Sequence, residues 1–83
     1  MQGEIRMCDL LPGQSGIVSS LDKDSNITRR LLDLGLVEGS QVACLGRGLW
    51  KDPTAYEICG AVISVRREIC RGVLLKEVQP WKP

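Results

Sequence analysis

The sequence contains four cysteines and no histidine, so the thiols are its main candidates for metal or redox chemistry. They stand at Cys8, Cys44, Cys59 and Cys70, and no two of them form the C-x-x-C pair typical of structural zinc sites. An all-cysteine site would need four distant residues to converge. Because free cysteine otherwise behaves as a small apolar residue, we expect unpaired, mostly buried thiols and no cofactor. Zinc or ferrous iron binding by these thiols is the alternative.

The other reactive side chains do not form a catalytic pattern. Without histidine there is no Ser-His or Cys-His pair and no ordinary general base near neutral pH. The glycines of "GRGLWKDP" lack the G-x-x-x-x-G-K-[ST] spacing of a phosphate-binding loop. The carboxylates are scattered through turns and polar faces. The sequence therefore predicts a protein that is not an enzyme.

Length and charge limit the remaining functions. A chain of 83 residues predicts a single domain over residues 1–83, with a thin core. Its 11 basic and 10 acidic residues nearly balance, which argues against a nucleic-acid partner. No apolar run reaches the roughly 20 residues of a membrane-spanning helix, and the N-terminus does not resemble a signal peptide. We expect a cytoplasmic protein without direct membrane insertion.

The most strongly patterned segment is "RRLLDLGLVEGSQV". Ile27, Leu31 and Leu34 recur at helical spacing, Leu32 widens the apolar stripe, and Ser25 is placed as the N-cap. These features predict a short helix over about residues 26–34.

A sharp corner is predicted directly after this helix. Gly35 is placed for a left-handed C-terminal cap, and Leu36 can pack back on Leu31. Glu38 and Gly39 then form a turn that leads into the strand "QVACL".

The segment after the corner predicts a β-hairpin. With Cys59-Gly60 as a two-residue turn, Ile58 faces Ala61, Tyr56 faces Ile63 and Thr54 faces Val65. That register gathers an apolar face and leaves a mostly polar one. "GIVSSL", with Ile17, Ser19 and Leu21 on one face, and "GVLLKEV" are further strands, and "RREIC" is one helical turn.

Together these elements predict a mainly β fold. About five short antiparallel strands with one or two short helices are typical of a small barrel. The core is expected over about residues 8–78, with 79–83 as a loose tail.

The same segments resemble the FeoA family, small accessory proteins of bacterial ferrous iron uptake. The resemblance covers the corner, the opening "DLLPGQSGIV" and the pair Asp52-Pro53, together with Ser64-Val65-Arg66. It implies an SH3-like barrel whose structural signature is formed by Leu31, Leu34, Gly35, Leu36, Gly39, Asp52, Pro53 and Arg66. It also implies binding to the cytosolic region of the FeoB transporter, which carries a GTPase, and no enzymatic activity.

Two polar regions are candidates for that contact. Arg29 and Arg30 lie on the polar side of the helix, where no local interaction favours the arrangement with the following Asp33. Trp50 lies in a glycine-flanked loop beside Arg47 and Lys51, and Tyr56 follows shortly. An exposed tryptophan next to arginine is typical of an interface hot spot.

A different class of function remains open beside the accessory role. The same SH3-like fold occurs as the C-terminal domain of metal-dependent repressors, so a stand-alone regulatory domain related to these is an alternative. A transition-metal-binding protein that uses its cysteine thiolates is another.

Overall fold

The strands of the protein form one antiparallel sheet. In the computed structural model the described residues are 3–21, 29, 30, 32, 33, 35–47 and 52–82. Within them the sheet order is β1-β6-β2-β3-β4-β5. The strands are β1 (Ile5–Arg6), β2 (Gln14–Leu21), β3 (Gln41–Arg47), β4 (Thr54–Ile58), β5 (Ala61–Val65) and β6 (Val73–Pro80). The mainly β prediction is confirmed, and the two-residue β1 adds a sixth strand to the five expected.

The hairpin formed by β4 and β5 has the predicted register. Ile58 pairs with Ala61, Tyr56 with Ile63 and Thr54 with Val65. Cys59 and Gly60 both have positive φ, 52° and 85°, as the favoured two-residue turns require. The side chains divide between the faces as expected, because Tyr56, Ile58 and Val65 are buried while Val62 is 68% exposed.

Arg29, Arg30, Leu32 and Asp33 are helical, and the corner between this helix and β3 is formed as predicted at the described residues. Gly35 has φ +89° and donates its N–H to the Leu32 carbonyl at 3.0 Å. Leu36 directly after it is fully buried in the core. Leu32, expected to widen the apolar stripe, is instead 50% exposed, so that prediction is wrong. The expectations for Ser25, Ile27, Leu31 and Leu34 lie outside the described residues.

The buried face of β2 differs from the predicted one. Val18 is in the core, and Leu21 packs against the core three positions later. Strict alternation cannot place both there, but the pairing with β6 shifts between Ser15 and Ile17 and again between Val18 and Ser20. At the first irregularity the extra residue is on β6, where Glu77 has φ +53°. At the second irregularity the extra residue is Ser19 of β2, and this bulge inverts the alternation of side chains along β2.

The C-terminal tail is more ordered than expected. Gln79 and Pro80 belong to β6 and pair with Ser15 and Gln14. The Trp81 N–H then donates to the Gly13 carbonyl at 2.9 Å. The expectation of a loose tail from residue 79 is therefore wrong for these residues, because they pair with the backbone of Gly13 and of the first residues of β2.

Two further short helices each contribute a buried side chain to the core. A 3-10 helix (Met7–Asp9) buries Met7. An α-helix (Arg67–Cys70) buries Cys70 and corresponds to the predicted helical turn. Leu10, directly after the 3-10 helix, is also in the core. The remaining core side chains come from the sheet and the corner: Val18, Leu36, Val42, Cys44, Tyr56, Ile58, Val65, Val73 and Leu75.

Candidate partner-binding surface

The thiols do not come together as a metal site in the described part of the chain. None of the four cysteines forms a disulfide: Cys44 and Cys70 are buried, Cys8 is half-buried and Cys59 is exposed. Among the described residues no three histidine, cysteine or acidic side chains are grouped so that they could hold a metal ion. Burial raises the pKa of Cys70 to about 11, which keeps it a thiol rather than a metal-binding thiolate near neutral pH.

Tyr56 is a core residue and not a surface contact. Only 1% of it is exposed, and its hydroxyl donates a hydrogen bond to the Met7 carbonyl at 3.2 Å. Burial, with Cys70 beside it, raises the pKa of Tyr56 well above its usual value. Its predicted role at a partner surface is therefore wrong. Instead, its hydroxyl links β4 to the 3-10 helix within the core.

The predicted partner-binding residues also include Arg47, Trp50 and Lys51, at the end of β3 and in the loop after it. Arg47 is the last residue of β3, and its backbone pairs with Thr54 of β4. Trp50 and Lys51 lie outside the described residues. Their contribution to partner binding stays a prediction.

The predicted signature residues have structural roles where they are described. An Asp52 carboxylate oxygen accepts the Arg67 N–H at 2.8 Å, at the first turn of the Arg67–Cys70 helix. This contact satisfies a donor that a helix start otherwise leaves unpaired. Pro53 follows through a cis peptide bond. The Arg66 carbonyl accepts the N–H groups of Ile69 and Cys70 at 3.0 and 3.1 Å.

The arginines predicted on the helix are exposed, and one of them lines a groove. Arg29, Arg30 and Asp33 are all exposed, and Arg30 and Asp33 form one wall of a groove of about 380 Å³. The rest of the groove is formed by Ile63, Ser64, Val65, Arg66 and Ile69. We call this region the arginine groove.

The position of the arginine groove follows from a contact at the hairpin tip. The Cys59 thiol donates to the Gly35 carbonyl at 3.5 Å, so the helix end is attached to the turn between β4 and β5. The preceding helical residues then lie beside β5. Sequence reasoning identified Arg30 and Arg66 separately, but it missed Asp33, Ile63 and Ile69 as neighbours. No local pattern indicates that juxtaposition.

A smaller concavity of about 130 Å³ lies near the same turn. It is lined by residues of β3, β4, the hairpin turn and the tail: Gln41, Ala43, Glu57, Cys59, Gly60 and Trp81. The thiol and the indole give it a mixed surface, and Glu57 is the charged side chain among its described lining residues.

The fold and its surface define a small SH3-like β domain with an exposed, arginine-lined groove. The chain belongs to the FeoA family, since the model of the FeoA domain matches residues 5–77. No curated protein matched its sequence. In the described part of the chain, no helix has the length and apolar character needed to cross a membrane.

Solved structures share this fold. A FeoA-like protein from Clostridium acetobutylicum is 22% identical with a TM-score of 0.85, over 92% of this chain and 88% of that one. FeoA of Stenotrophomonas maltophilia, complexed with zinc and described as an SH3 domain protein, is 21% identical with a TM-score of 0.81. That match covers 92% of this chain and 96% of the other. The SH3-like prediction is thereby confirmed.

The fold also occurs inside a longer protein. A manganese-dependent transcriptional repressor in complex with manganese is 15% identical, with a TM-score of 0.82. The match covers 92% of this chain but only 37% of the repressor. The likeness is therefore one of fold to a part of that protein.

Proposed function

We propose that this protein is a non-enzymatic, cytoplasmic accessory of ferrous iron uptake, which binds the cytosolic region of the FeoB transporter and modulates it. The observation that carries the proposal is the FeoA domain match, which extends from β1 into β6 and so includes five of the described strands and part of the sixth. The zinc-bound Stenotrophomonas protein of the same fold has been put forward as a ferrous iron transport activating factor.

The surface supports a role in protein binding. Arg29, Arg30, Arg66 and Arg67 are all exposed, although the whole chain has a net charge of only +1. Arginine is enriched at protein interfaces, where its guanidinium can pair with carboxylates in fixed geometry. These arginines favour a partner with carboxylates in its contact region, while a net charge of only +1 argues against a polyanion such as DNA.

The direct test is binding and GTP hydrolysis with the transporter from the same organism. The full chain is immobilised, and detergent-solubilised FeoB or its cytosolic region is passed over it. We expect saturable binding, no GTP hydrolysis by the chain alone, and an altered hydrolysis rate of FeoB when the chain is added. Absence of binding by the wild-type chain would contradict the proposal.

Trp50 provides a residue-level test. We expect Trp50→Ala to weaken binding to FeoB while the circular dichroism spectrum is unchanged, because hot-spot tryptophans contribute binding energy through apolar contact area. Trp81→Ala is the matched control, since Trp81 lies at the smaller concavity. Equal binding by the wild-type and Trp50→Ala chains would remove Trp50 from the interface.

The repressor likeness favours one second candidate. A stand-alone regulatory domain of the same fold would act on another regulator rather than on FeoB. Capture of a DNA-binding protein by the chain, together with no affinity for FeoB, would favour this reading.

A further inference from the structure

The arginine groove combines an apolar floor with arginine side chains at its edges. Its floor carries Ile63, Val65 and Ile69, and the exposed surface there is mainly apolar. Ile63 and Ile69 are only half-buried, so part of each side chain remains in contact with water. Covering such surface with an apolar group is favourable by roughly 25 cal/mol per Å².

The described lining residues of the groove carry two positive charges and one negative charge. Arg30 lies on the helix wall and Arg66 at the end of β5, so guanidinium groups come from two different elements. Exposed Arg29 precedes Arg30, and exposed Arg67 follows Arg66. Asp33 is the one acidic side chain among the described lining residues, and the exposed acids Asp52 and Glu68 lie next to Arg67 outside the lining. An apolar floor between arginines is complementary to an apolar side chain flanked by carboxylates.

The elements that form the groove are held in place by contacts within the chain. The Cys59–Gly35 contact attaches the helix end to the hairpin, and the Asp52–Arg67 contact fixes the start of the short helix that carries Ile69. Because these two contacts restrain the elements before binding, less free energy is lost to ordering of the site when a partner segment binds.

We propose that the arginine groove binds an acidic segment of the FeoB cytosolic region, which inserts one large apolar side chain between Arg30 and Arg66. This inference rests on the proposed function and names the surface that carries it. Electrostatic attraction guides the segment to the groove, and burial of its apolar side chain over Ile63 and Ile69 holds it there.

The test compares charge reversals that differ only in position. Arg30→Glu, Arg66→Glu and the double variant reverse charge at the groove, where both side chains are exposed and the fold should persist. Arg71→Glu is the matched control, because Arg71 is exposed and lines a different concavity, with Arg6 and Leu74. Binding of each full-length variant to solubilised FeoB is measured by biolayer interferometry, with circular dichroism as the check on folding.

We expect the double variant to bind at least about tenfold more weakly, and Arg71→Glu to stay within about twofold of wild type. Binding of the wild type should fall with added salt, and the double variant should show a smaller salt dependence. Ile63→Asn tests the apolar floor without a change of charge, and it should weaken binding while the salt dependence is kept.

Each contrary result has a distinct meaning. If wild type binds FeoB and the double variant binds equally well, the groove assignment is wrong while the proposed function stands. If wild type does not bind FeoB, both are overturned. If the double variant instead abolishes a wild-type dimer seen by analytical ultracentrifugation, the occupant is a second copy of the chain and the inference is wrong.

Discussion

Tyr56 and Cys70 lie together in the core, and both hold their protons more tightly than they would in an unfolded chain. Burial is the main cause for each, and it raises the pKa of Cys70 from 9.0 to about 11. The pKa of Tyr56 is raised in the same direction, further increased by Cys70. Because the unfolded chain releases these two protons at a lower pH than the folded chain does, the free energy of unfolding falls in alkaline solution.

We predict that the protein loses stability as the pH rises from about 9 to about 11. Above pH 9 an unfolded chain releases the Cys70 proton, whereas the folded chain retains it up to about pH 11. The unfolded state therefore binds fewer protons, and the free energy of unfolding falls with pH in this window. Each unit of difference in pKa corresponds to about 1.4 kcal/mol. Urea unfolding at several pH values measures the slope.

A pair of cysteine variants isolates this effect. Cys70→Ala removes the buried thiol and should make the alkaline slope shallower, whatever its stability at neutral pH. Cys59→Ala removes an exposed thiol and should leave the slope as in wild type. Identical slopes for all three proteins would show that Cys70 does not contribute to the alkaline loss.

At the scale of elements, the contact between Asp52 and Arg67 joins two segments that are far apart in sequence. It connects the residue before Pro53 to the first turn of the Arg67–Cys70 helix at 2.8 Å. The side chain of the N-cap residue Arg66 makes no capping hydrogen bond. The Asp52 carboxylate takes that role, although it lies 15 residues before Arg67 in the sequence. A helix of four residues has little stability of its own and depends on such contacts.

We predict that Asp52→Ala destabilises the protein by about 1 kcal/mol, in the usual range of 0.5–2 for loss of a helix cap. Asp52→Asn keeps an acceptor oxygen and should lose less, since only the charge at the helix start is removed. Urea unfolding followed by circular dichroism measures both variants. Equal stability of wild type and Asp52→Ala would mean that the carboxylate does not support the helix.

The elements also show what the sequence could and could not reveal. The β4–β5 register was predictable because a two-residue turn fixes every pair that follows. The buried face of β2 was not, since the bulge at Ser19 has no local sequence signal. The arginine groove depends on how the helix lies against β5, and only the folded chain brings Arg30 and Arg66 to the same site.

At the scale of the whole molecule, the distribution of the thiols is part of the packing. Cys44 lies in β3 and Cys70 in the short helix, both facing the core, while Cys59 lies at the hairpin tip. In the described structure the four thiols are therefore not gathered around a position for one ion. The zinc complex of the Stenotrophomonas protein makes this a question worth testing directly.

We predict that zinc does not protect several thiols of the folded protein at once. In reduced protein Cys59 should react quickly with a thiol reagent, whereas Cys44 and Cys70 should react only after denaturation, because burial denies access and raises the pKa of Cys70. Counting reactive thiols with and without excess zinc or ferrous iron, by mass spectrometry of labelled peptides, measures this order. Cys59→Ser should remove the fast phase alone. One equivalent of metal that slows labelling at three or four cysteines would instead favour a metal-binding protein and a rearranged core.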